Sequence, residues 1–229
     1  YQQLYGEVPH LDVATSLNNV GVAYERLGNV QKGLTYKERA LTILQELYGK
    51  APHPHVAASL NDVGEAHEML GEVQQSLTYK KNALTMLQKL YGKAPRLDVA
   101  NSSYHLGMAY QSLGKLQQAA PYLEKALTIR RAIYGDTPHP DLADSLNNMG
   151  LVYENLGNLR RGITYQKQAL EVLQILYEDS PHLCVANTLN NVGLACQKVG
   201  DLRNALSYLK QALAMFQLLY VELQHPHIA

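Results

Sequence analysis

The sequence has 229 residues and balances 20 basic against 20 acidic side chains, for a formal net charge of zero. Nucleic acids and anionic membranes attract proteins with a basic surface, so this balance argues against either as the main partner. No apolar run approaches the roughly 18 residues that a membrane-spanning helix needs, and no signal peptide opens the chain.

All 16 glycines fall on a period of 43 residues. Positions that lie 43 residues apart, or a multiple of 43, form one register. The registers contain Gly21, Gly64, Gly107, Gly150 and Gly193; Gly28, Gly71, Gly114, Gly157 and Gly200; Gly6, Gly49, Gly92 and Gly135; and Gly33 with Gly162. A fixed period of this length is typical of stacked repeats, in which each unit buries its apolar face against its neighbours.

In chain order, the apolar spacing and the glycines predict two helices in each repeat. The first helices are expected at about 12–27, 55–70, 98–113, 141–156 and 184–199, and the second helices at about 30–48, 73–91, 116–134, 159–177 and 202–220. The repeats then span 12–49, 55–92, 98–135, 141–178 and 184–221 of a single domain. Residues 1–11 read as the end of a preceding repeat and 222–229 as the start of a following one, so we expect a fragment of a longer array.

Particular positions of the repeat have predicted packing roles. The buried face of the first helix is expected to consist of Leu17, Val20, Tyr24 and Leu27. Gly28 is expected to end that helix, because glycine enters the left-handed conformation without strain. Glycine within a helix is unfavourable by about 1 kcal/mol relative to alanine, so the Gly21 register predicts a close helix crossing. The facing small residues are expected to be Ala40, Ala83, Ala126, Ala169 and Ala212.

The links between repeats are rich in proline and histidine. Asp12, Asp98 and Asp141, which follow the links, are predicted to cap the next helices. Although His53 and His55 flank Pro54, no cysteine or carboxylate cluster completes a metal site, so a solvated link is favoured over metal binding.

The two cysteines indicate a reducing environment. Cys184 and Cys196 lie 12 residues apart in one predicted helix, a separation of about 18 Å at 1.5 Å per residue, which is beyond disulfide reach. We therefore expect free thiols in an intracellular, cytoplasmic protein.

The repeat resembles the tetratricopeptide repeat (TPR). The resemblance rests on Leu17-x-x-Val20-Gly21-x-x-Tyr24, followed by Gly28 and Ala40. The Leu-Asn-Asn-Val-Gly and Tyr-x-x-x-Ala-Leu stretches are similar to the long repeats of kinesin light chain and nephrocystin-3. The resemblance implies an all-α, right-handed superhelical solenoid of five helix-turn-helix units. The period alone also permits HEAT or armadillo repeats, but the paired glycine registers favour the tetratricopeptide type.

One departure from the family pattern lies in the second helix. Lys37, Lys80 and Gln166 stand where the family usually has an aromatic residue, and we expect looser packing or exposure at this register.

A second stripe lies beside the buried face of the first helices. It consists of Asn18, Val22 and Glu25; Asn61, Glu65 and Glu68; Tyr104, Met108 and Gln111; Asn147, Leu151 and Glu154; and Asn190, Leu194 and Gln197. The resemblance implies that this stripe lines a concave groove that holds an extended or helical peptide. Asparagine offers both a donor and an acceptor to a partner's backbone, and the acidic residues favour basic groups. The alternative is a structural role, which we favour for the second asparagines: Asn19, Asn148 and Asn191.

The third repeat departs most from the consensus. Tyr104 replaces asparagine, Ser103 replaces leucine, Pro121 enters the second helix, and Arg130 and Arg131 follow. These changes indicate either a specificity centre with Tyr104 as an aromatic anchor or sequence drift, and the residues leave both open.

The leading functional hypothesis is a protein–protein interaction scaffold that binds a protein or peptide. No phosphate-binding loop, nucleophile elbow or acid–base pair is found, so neither enzyme activity nor a cofactor is expected. The alternative is an architectural, sensor or self-association segment of a larger signalling protein, such as one with a nucleotide-switched ATPase domain. Self-association is expected through exposed repeat ends that include Leu206, Leu213 and Leu219.

Overall fold

The computed structural model describes residues 9–178 and 180–224, and within these ranges it contains ten α-helices and no β-strand. The helices are α1 (Leu11–Arg26), α2 (Val30–Tyr48), α3 (Pro54–Met69), α4 (Val73–Tyr91), α5 (Leu97–Ser112), α6 (Leu116–Tyr134), α7 (Pro140–Asn155), α8 (Leu159–Tyr177), α9 (Leu183–Lys198) and α10 (Leu202–Gln224). The predicted helix pairs are confirmed, with each first helix shifted one residue toward the N-terminus. Of the repeat fragments expected at 1–11 and 222–229, residues 1–8 and 225–229 lie outside the described residues, and α10 continues to Gln224, four residues past its predicted end.

The chain forms two compact units, Tyr1–Lys115 with α1–α5 and Leu116–Ala229 with α6–α10. In the first unit each helix packs on the next, and α3 also contacts α5 directly. In the second unit α7 packs on α6 and α8, and α9 packs on α8 and α10. Each unit is therefore a stack of antiparallel helices with its apolar residues between layers. Among the described helices, none is long and apolar enough to cross a membrane.

The buried face of the first helices is confirmed at two registers and wrong at a third. Leu60 and Val63 of α3, like their counterparts on α7 and α9, are buried. In contrast, Leu27 is 81% exposed, because it follows the last turn of α1 as its C-cap and lies outside the packed stripe. Val20 is also exposed, since no described helix precedes α1 to cover that side of it.

The glycines within the first helices lie at a close helix crossing, as predicted, but their partners differ from the prediction. A Cβ atom on Gly21 would lie 2.9 Å from the carbonyl oxygen of Gly33, and one on Gly150 would lie 3.0 Å from that of Gly162. The assignment of Ala40 and its counterparts as facing residues is therefore wrong. The two helices cross near the turn that joins them, which places the first turn of the second helix at the contact.

The predicted aspartate caps are also wrong, because the helices begin one residue earlier than expected. The Nδ1 atoms of His10, His53, His139 and His182 accept the main-chain N–H two residues ahead, at 3.1–3.2 Å. Three of these rings also stack on the tyrosine that ends the previous helix, with centroids 3.4 Å apart for His53 and Tyr48. The link histidines therefore have a structural role, and the described residues contain no group of three or more potential metal ligands.

The cysteines are free, as expected from their spacing. Cys184 is exposed and Cys196 is buried, both on α9. Burial raises the pKa of the Cys196 thiol, which keeps it protonated and unreactive.

Candidate functional site

The stripe predicted from the sequence lies on α1, α3 and α5 in the first unit and on α7 and α9 in the second. Most of its side chains are half-buried, while Leu194 and Gln197 on α9 are exposed. Three rows run across the helices of each unit: the asparagine row (register of Asn18), the middle row (register of Val22) and the glutamate row (register of Glu25). The three rows differ in how many of their polar groups already have partners.

The glutamate row is largely neutralised from beneath in the first unit. The Lys37 ammonium lies 2.6 and 2.8 Å from the two carboxylate oxygens of Glu25, and Lys80 pairs in the same way with Glu68. Lys37 also donates to the main-chain oxygen of Asp62 on α3 at 3.3 Å. These carboxylates are therefore paired with the second helix of their own repeat. Because their charge is already neutralised, they attract basic ligands less than the sequence suggests.

In the second unit Glu154 has two partners of its own. The Gln166 amide donates to it at 3.3 Å from α8, and the Lys198 ammonium pairs with it from α9. The second of these contacts joins neighbouring repeats. Glu154 is thus held in place at the edge of the stripe and carries little free charge.

The register of Lys37 is buried, which contradicts the expectation of exposure. Lys37 and Lys80 are each 2% exposed and Gln166 is fully buried. Burial of a charged ammonium is tolerated only when it is paired, and here the glutamate row supplies the partner. A sequence signal for this pairing exists, because repeats with Glu at one position have Lys or Gln 12 residues later, whereas Gln111 and Gln197 are followed by leucine.

The asparagine row contacts neighbouring helices. Asn18 on α1 forms a side-chain hydrogen bond with Asp62 on α3, and Asn61 Oδ1 accepts from Ser102 on α5 at 3.4 Å. The Oδ1 atoms of Asn18 and Asn147 are shielded from solvent and have no hydrogen-bond partner among the described residues. Of the second asparagines, Asn148 donates to the main-chain oxygen of Asp144 at 2.9 Å on its own helix, a structural contact.

The middle row is the most accessible part of the stripe. Glu65 keeps 43% of its side chain exposed beside His105, 3.3 Å away, and Leu194 is 42% exposed. Met108 and Leu151 are half-buried at the same register. In the first unit this row contains one acidic residue, Glu65, between Val22 and Met108, whereas in the second unit it is aliphatic.

Asp62 is an acidic residue of the stripe region that the sequence reasoning missed. Burial raises the pKa of its carboxyl from 3.8 to about 6, an effect that Lys37 opposes and Glu65 reinforces. The signal in the sequence is a single substitution, since this register otherwise contains Asn19, His105, Asn148 and Asn191.

The unusual residues of the third repeat make local contacts. Ser103 donates to the main-chain oxygen of Val99 at 2.7 Å, and the Tyr104 ring is half-buried and packs edge-on against His105. Arg130 is buried and donates to Ser145 Oγ at 2.6 Å, which joins α6 to α7, and Arg131 donates to Gln168 at 2.9 Å on α8.

The family model of the tetratricopeptide repeat matches residues 12–89, 55–132, 98–174 and 141–217, which together cover most of the chain. The chain therefore belongs to the tetratricopeptide-repeat family. No curated protein matches it.

Several solved structures share the fold. The kinesin light chain-type, nearly identical TPR-like repeats of Podosopora anserina are 22% identical, with a TM-score of 0.77, over 90% of this chain and 96% of that one. BtubC (BKLC) from P. vanneervenii is 19% identical, with a TM-score of 0.83, over 92% of this chain and 82% of that one. The Rap conjugation gene regulator of plasmid pLS20, solved with the Phr* peptide, is 19% identical, with a TM-score of 0.62, over 89% of this chain and 53% of that one. Chains with this repeat are generally protein-interaction scaffolds rather than enzymes.

Proposed function

We propose that the chain is a protein-interaction scaffold whose stripe binds an extended peptide or a partner helix. The observation that carries the proposal is the contrast between rows, in which an accessible middle row lies between two rows that internal contacts hold in place. Binding is less costly when the receiving side chains are already ordered, because less conformational entropy is lost. The solved complex of the pLS20 Rap regulator with a peptide supports this use of the fold.

The chemistry of the middle row indicates the kind of partner. Glu65 and Asp62 give the first unit an acidic surface, since Glu25 and Glu68 are already paired with lysines. Leu151 and Leu194 give the second unit an aliphatic surface. The first unit therefore favours a partner segment with basic side chains, and the second unit favours a segment with apolar side chains.

The proposal can be tested by selecting peptides from a random display library on the wild-type protein. Binding of the selected peptides is then measured for Leu194→Glu, which changes an exposed residue of the middle row. The matched control is Ile175→Glu, which places the same charge at an exposed position of α8 outside the stripe.

We expect Leu194→Glu to weaken binding by about tenfold or more and Ile175→Glu to leave it unchanged. Asn147→Ala with Asn190→Ala is expected to weaken binding while the helical content stays intact. Loss of the fold in that variant would remove the asparagine row from the site. Equal effects of the two glutamate variants, or no enrichment of any peptide, would contradict the proposal.

A specific observation also favours self-association as a second function. Leu206 and Leu213 on α10 are both more than half exposed, and Leu202 and Leu218 share this exposure, whereas Leu219 is half-buried. We infer that copies of the chain associate through the face of α10 that contains Leu202, Leu206 and Leu213. Sedimentation equilibrium is expected to show association that Leu206→Lys with Leu213→Lys abolishes, and a strict monomer at high concentration would count against it. Association that the double variant abolishes would also support the architectural role over peptide capture.

A further inference from the structure

A cavity of about 120 Å³ lies in the first unit between α1, α2 and α3. Its polar lining includes Asn18, Ser59 and Asp62, and its apolar lining includes Ala14, Leu44 and Ala58. Since Asn18 belongs to the asparagine row, the cavity is continuous with the stripe.

Two oxygen atoms of the polar lining have no hydrogen-bond partner within the described residues, although Thr15 and His55 also line the cavity. Ser59 is only 4% exposed, and its Oγ has no hydrogen-bond partner among the described residues. The Oδ1 atom of Asn18 is likewise without a partner in the described part of the chain, although Asn18 forms its side-chain hydrogen bond with Asp62. A buried acceptor that forms no hydrogen bond costs about 1–3 kcal/mol, so both oxygens favour a ligand that brings N–H groups.

The charges around the cavity favour a cation. Lys37 directs its ammonium to the Glu25 carboxylate and to the main-chain oxygen of Asp62. Its ammonium pairs directly with Glu25 and only partly offsets the raised pKa of Asp62, so two carboxylates share one cation. Glu65 lies one turn further along α3 and adds negative charge at the cavity's side of the stripe.

We propose that this cavity binds the ammonium group of a lysine side chain from the polypeptide that lies on the stripe. The inference rests on the proposed function and specifies one anchor of the partner. A lysine ammonium has three N–H donors, which match the Asp62 carboxylate, Asn18 Oδ1 and Ser59 Oγ. Its methylene stem is compatible with the alanine and leucine walls.

Arginine fits this lining less well. Its guanidinium presents five N–H donors in a fixed plane and is best matched by two parallel acceptor oxygens with open space around them. The lining instead places the single oxygens of Asn18 and Ser59 beside the Asp62 carboxylate in a volume of about 120 Å³, which suits a compact point charge better than a planar guanidinium. Selectivity for lysine over arginine is therefore part of the proposal.

The first test uses Nα-acetyl-lysine N-methylamide as the probe in an NMR titration of the whole chain. We expect shifts in residues of α1 and α3 that saturate at millimolar concentration, and no comparable shifts with the norleucine or arginine derivatives. Asp62→Asn is expected to weaken the interaction by at least about tenfold and Ser59→Ala by about threefold. Glu38→Gln, which removes an exposed carboxylate of α2 outside the cavity, is the matched control and is expected to bind as the wild type does. The spectra themselves report whether each variant is folded.

Absence of these shifts, equal binding of the arginine or norleucine derivative, or equal effects of Asp62→Asn and Glu38→Gln would overturn the inference. Peptide selection separates this failure from failure of the proposed function. Peptides that bind the wild type and Asp62→Asn equally, without an enriched lysine, would overturn the lysine anchor and leave the scaffold function standing. Failure to enrich any peptide would contradict the scaffold function itself.

Discussion

Lys37 has a charged side chain at a register where Leu123 and Leu209 occur in other repeats. It is buried, and so is most of its partner Glu25, which keeps 9% of its side chain exposed. Lys37 lies beneath the stripe and fixes the position of Glu25, which belongs to the stripe. Lys37 also joins α2 to the main chain of α3. At this scale, the proposed binding surface depends on a buried side chain that lies beneath it.

Lys37→Leu is expected to destabilise the chain by about 3 kcal/mol, because Glu25 then remains buried without a cation. The double variant Glu25→Gln with Lys37→Leu reproduces the Gln111 and Leu123 combination of the third repeat and is expected to recover most of that loss. Urea unfolding of the wild type, both single variants and the double variant measures the coupling. A single variant as stable as the wild type would show that the pair contributes nothing.

Asp62 contributes to stability with the opposite sign. Its pKa is raised in the folded chain, mainly by burial, against opposition from Lys37 and with contributions from Glu65 and Glu25. The carboxyl of the folded chain takes up a proton near pH 6, whereas that of the unfolded chain takes it up near pH 3.8. The charged side chain therefore destabilises the fold at neutral pH, and this free-energy cost disappears as the pH falls from about 6 to 3.8.

Asp62→Asn is expected to raise the free energy of unfolding by about 1–2 kcal/mol near pH 7.5. One unit of pKa difference corresponds to about 1.4 kcal/mol, and the partial exposure of the side chain reduces the effect. The difference from the wild type is expected to shrink at about pH 5 as Asp62 is protonated. Denaturant unfolding at both pH values measures it. A difference that is constant with pH would contradict the assigned cause.

At the scale of the element, four of the five first helices that the structure describes begin after a histidine whose ring caps the helix and, at three links, stacks on the preceding tyrosine. His53 illustrates the arrangement, because its Nδ1 accepts the N–H of His55 while its ring lies on Tyr48. Nδ1 can accept only while it is unprotonated. Burial, followed by the charge of His55, lowers the pKa of His53 below 6.5. The cap's contribution is therefore complete above pH 6.5 and is lost as the pH falls through the lowered pKa.

His53→Ala is expected to lower the free energy of unfolding by about 1 kcal/mol near pH 7.5 and by less near pH 5. Arg96 offers a matched control, since it occupies the same register before α5 and makes no side-chain capping bond. Thermal unfolding of His53→Ala and Arg96→Ala at both pH values compares them. Equal, pH-independent losses would show that the ring stack rather than the cap stabilises the link.

The sequence predicts the helices well because the features that end them repeat. Gly28 and its counterparts adopt a positive φ at each turn, and even Glu178 takes φ 48° where Gly49 and Gly92 stand in other repeats. The predicted caps differ from the structure because each first helix starts one residue earlier than expected. The tyrosine–histidine pairs recur in the sequence five residues apart, but only the folded link shows that their rings stack.

The site was less predictable, because its polar groups pair across helices. Glu25 and Lys37 lie 12 residues apart and meet only when α1 and α2 fold back on each other. Asp62 depends on a single substitution, and its environment comes from three different helices. The composition of the stripe could thus be read from the sequence, whereas the division into paired and accessible rows could not.

At the scale of the whole molecule, the central claim is that the first helices of the repeats provide the binding surface. The first unit contributes α1, α3 and α5, whose middle row includes the acidic Glu65, and the second contributes α7 and α9 with an aliphatic middle row. The second helices hold the glutamate row in place from behind and, apart from the α2 wall of the cavity, are expected to contact no ligand.

Hydrogen exchange of the chain with and without a selected peptide tests this claim most directly. Bound peptide is expected to slow exchange in the first helices of the unit that binds it, α1, α3 and α5 of the first unit or α7 and α9 of the second, with smaller effects in the helices behind them. Slowed exchange confined to α2, α4, α6, α8 or α10 would contradict the account, because it would place the peptide outside the stripe.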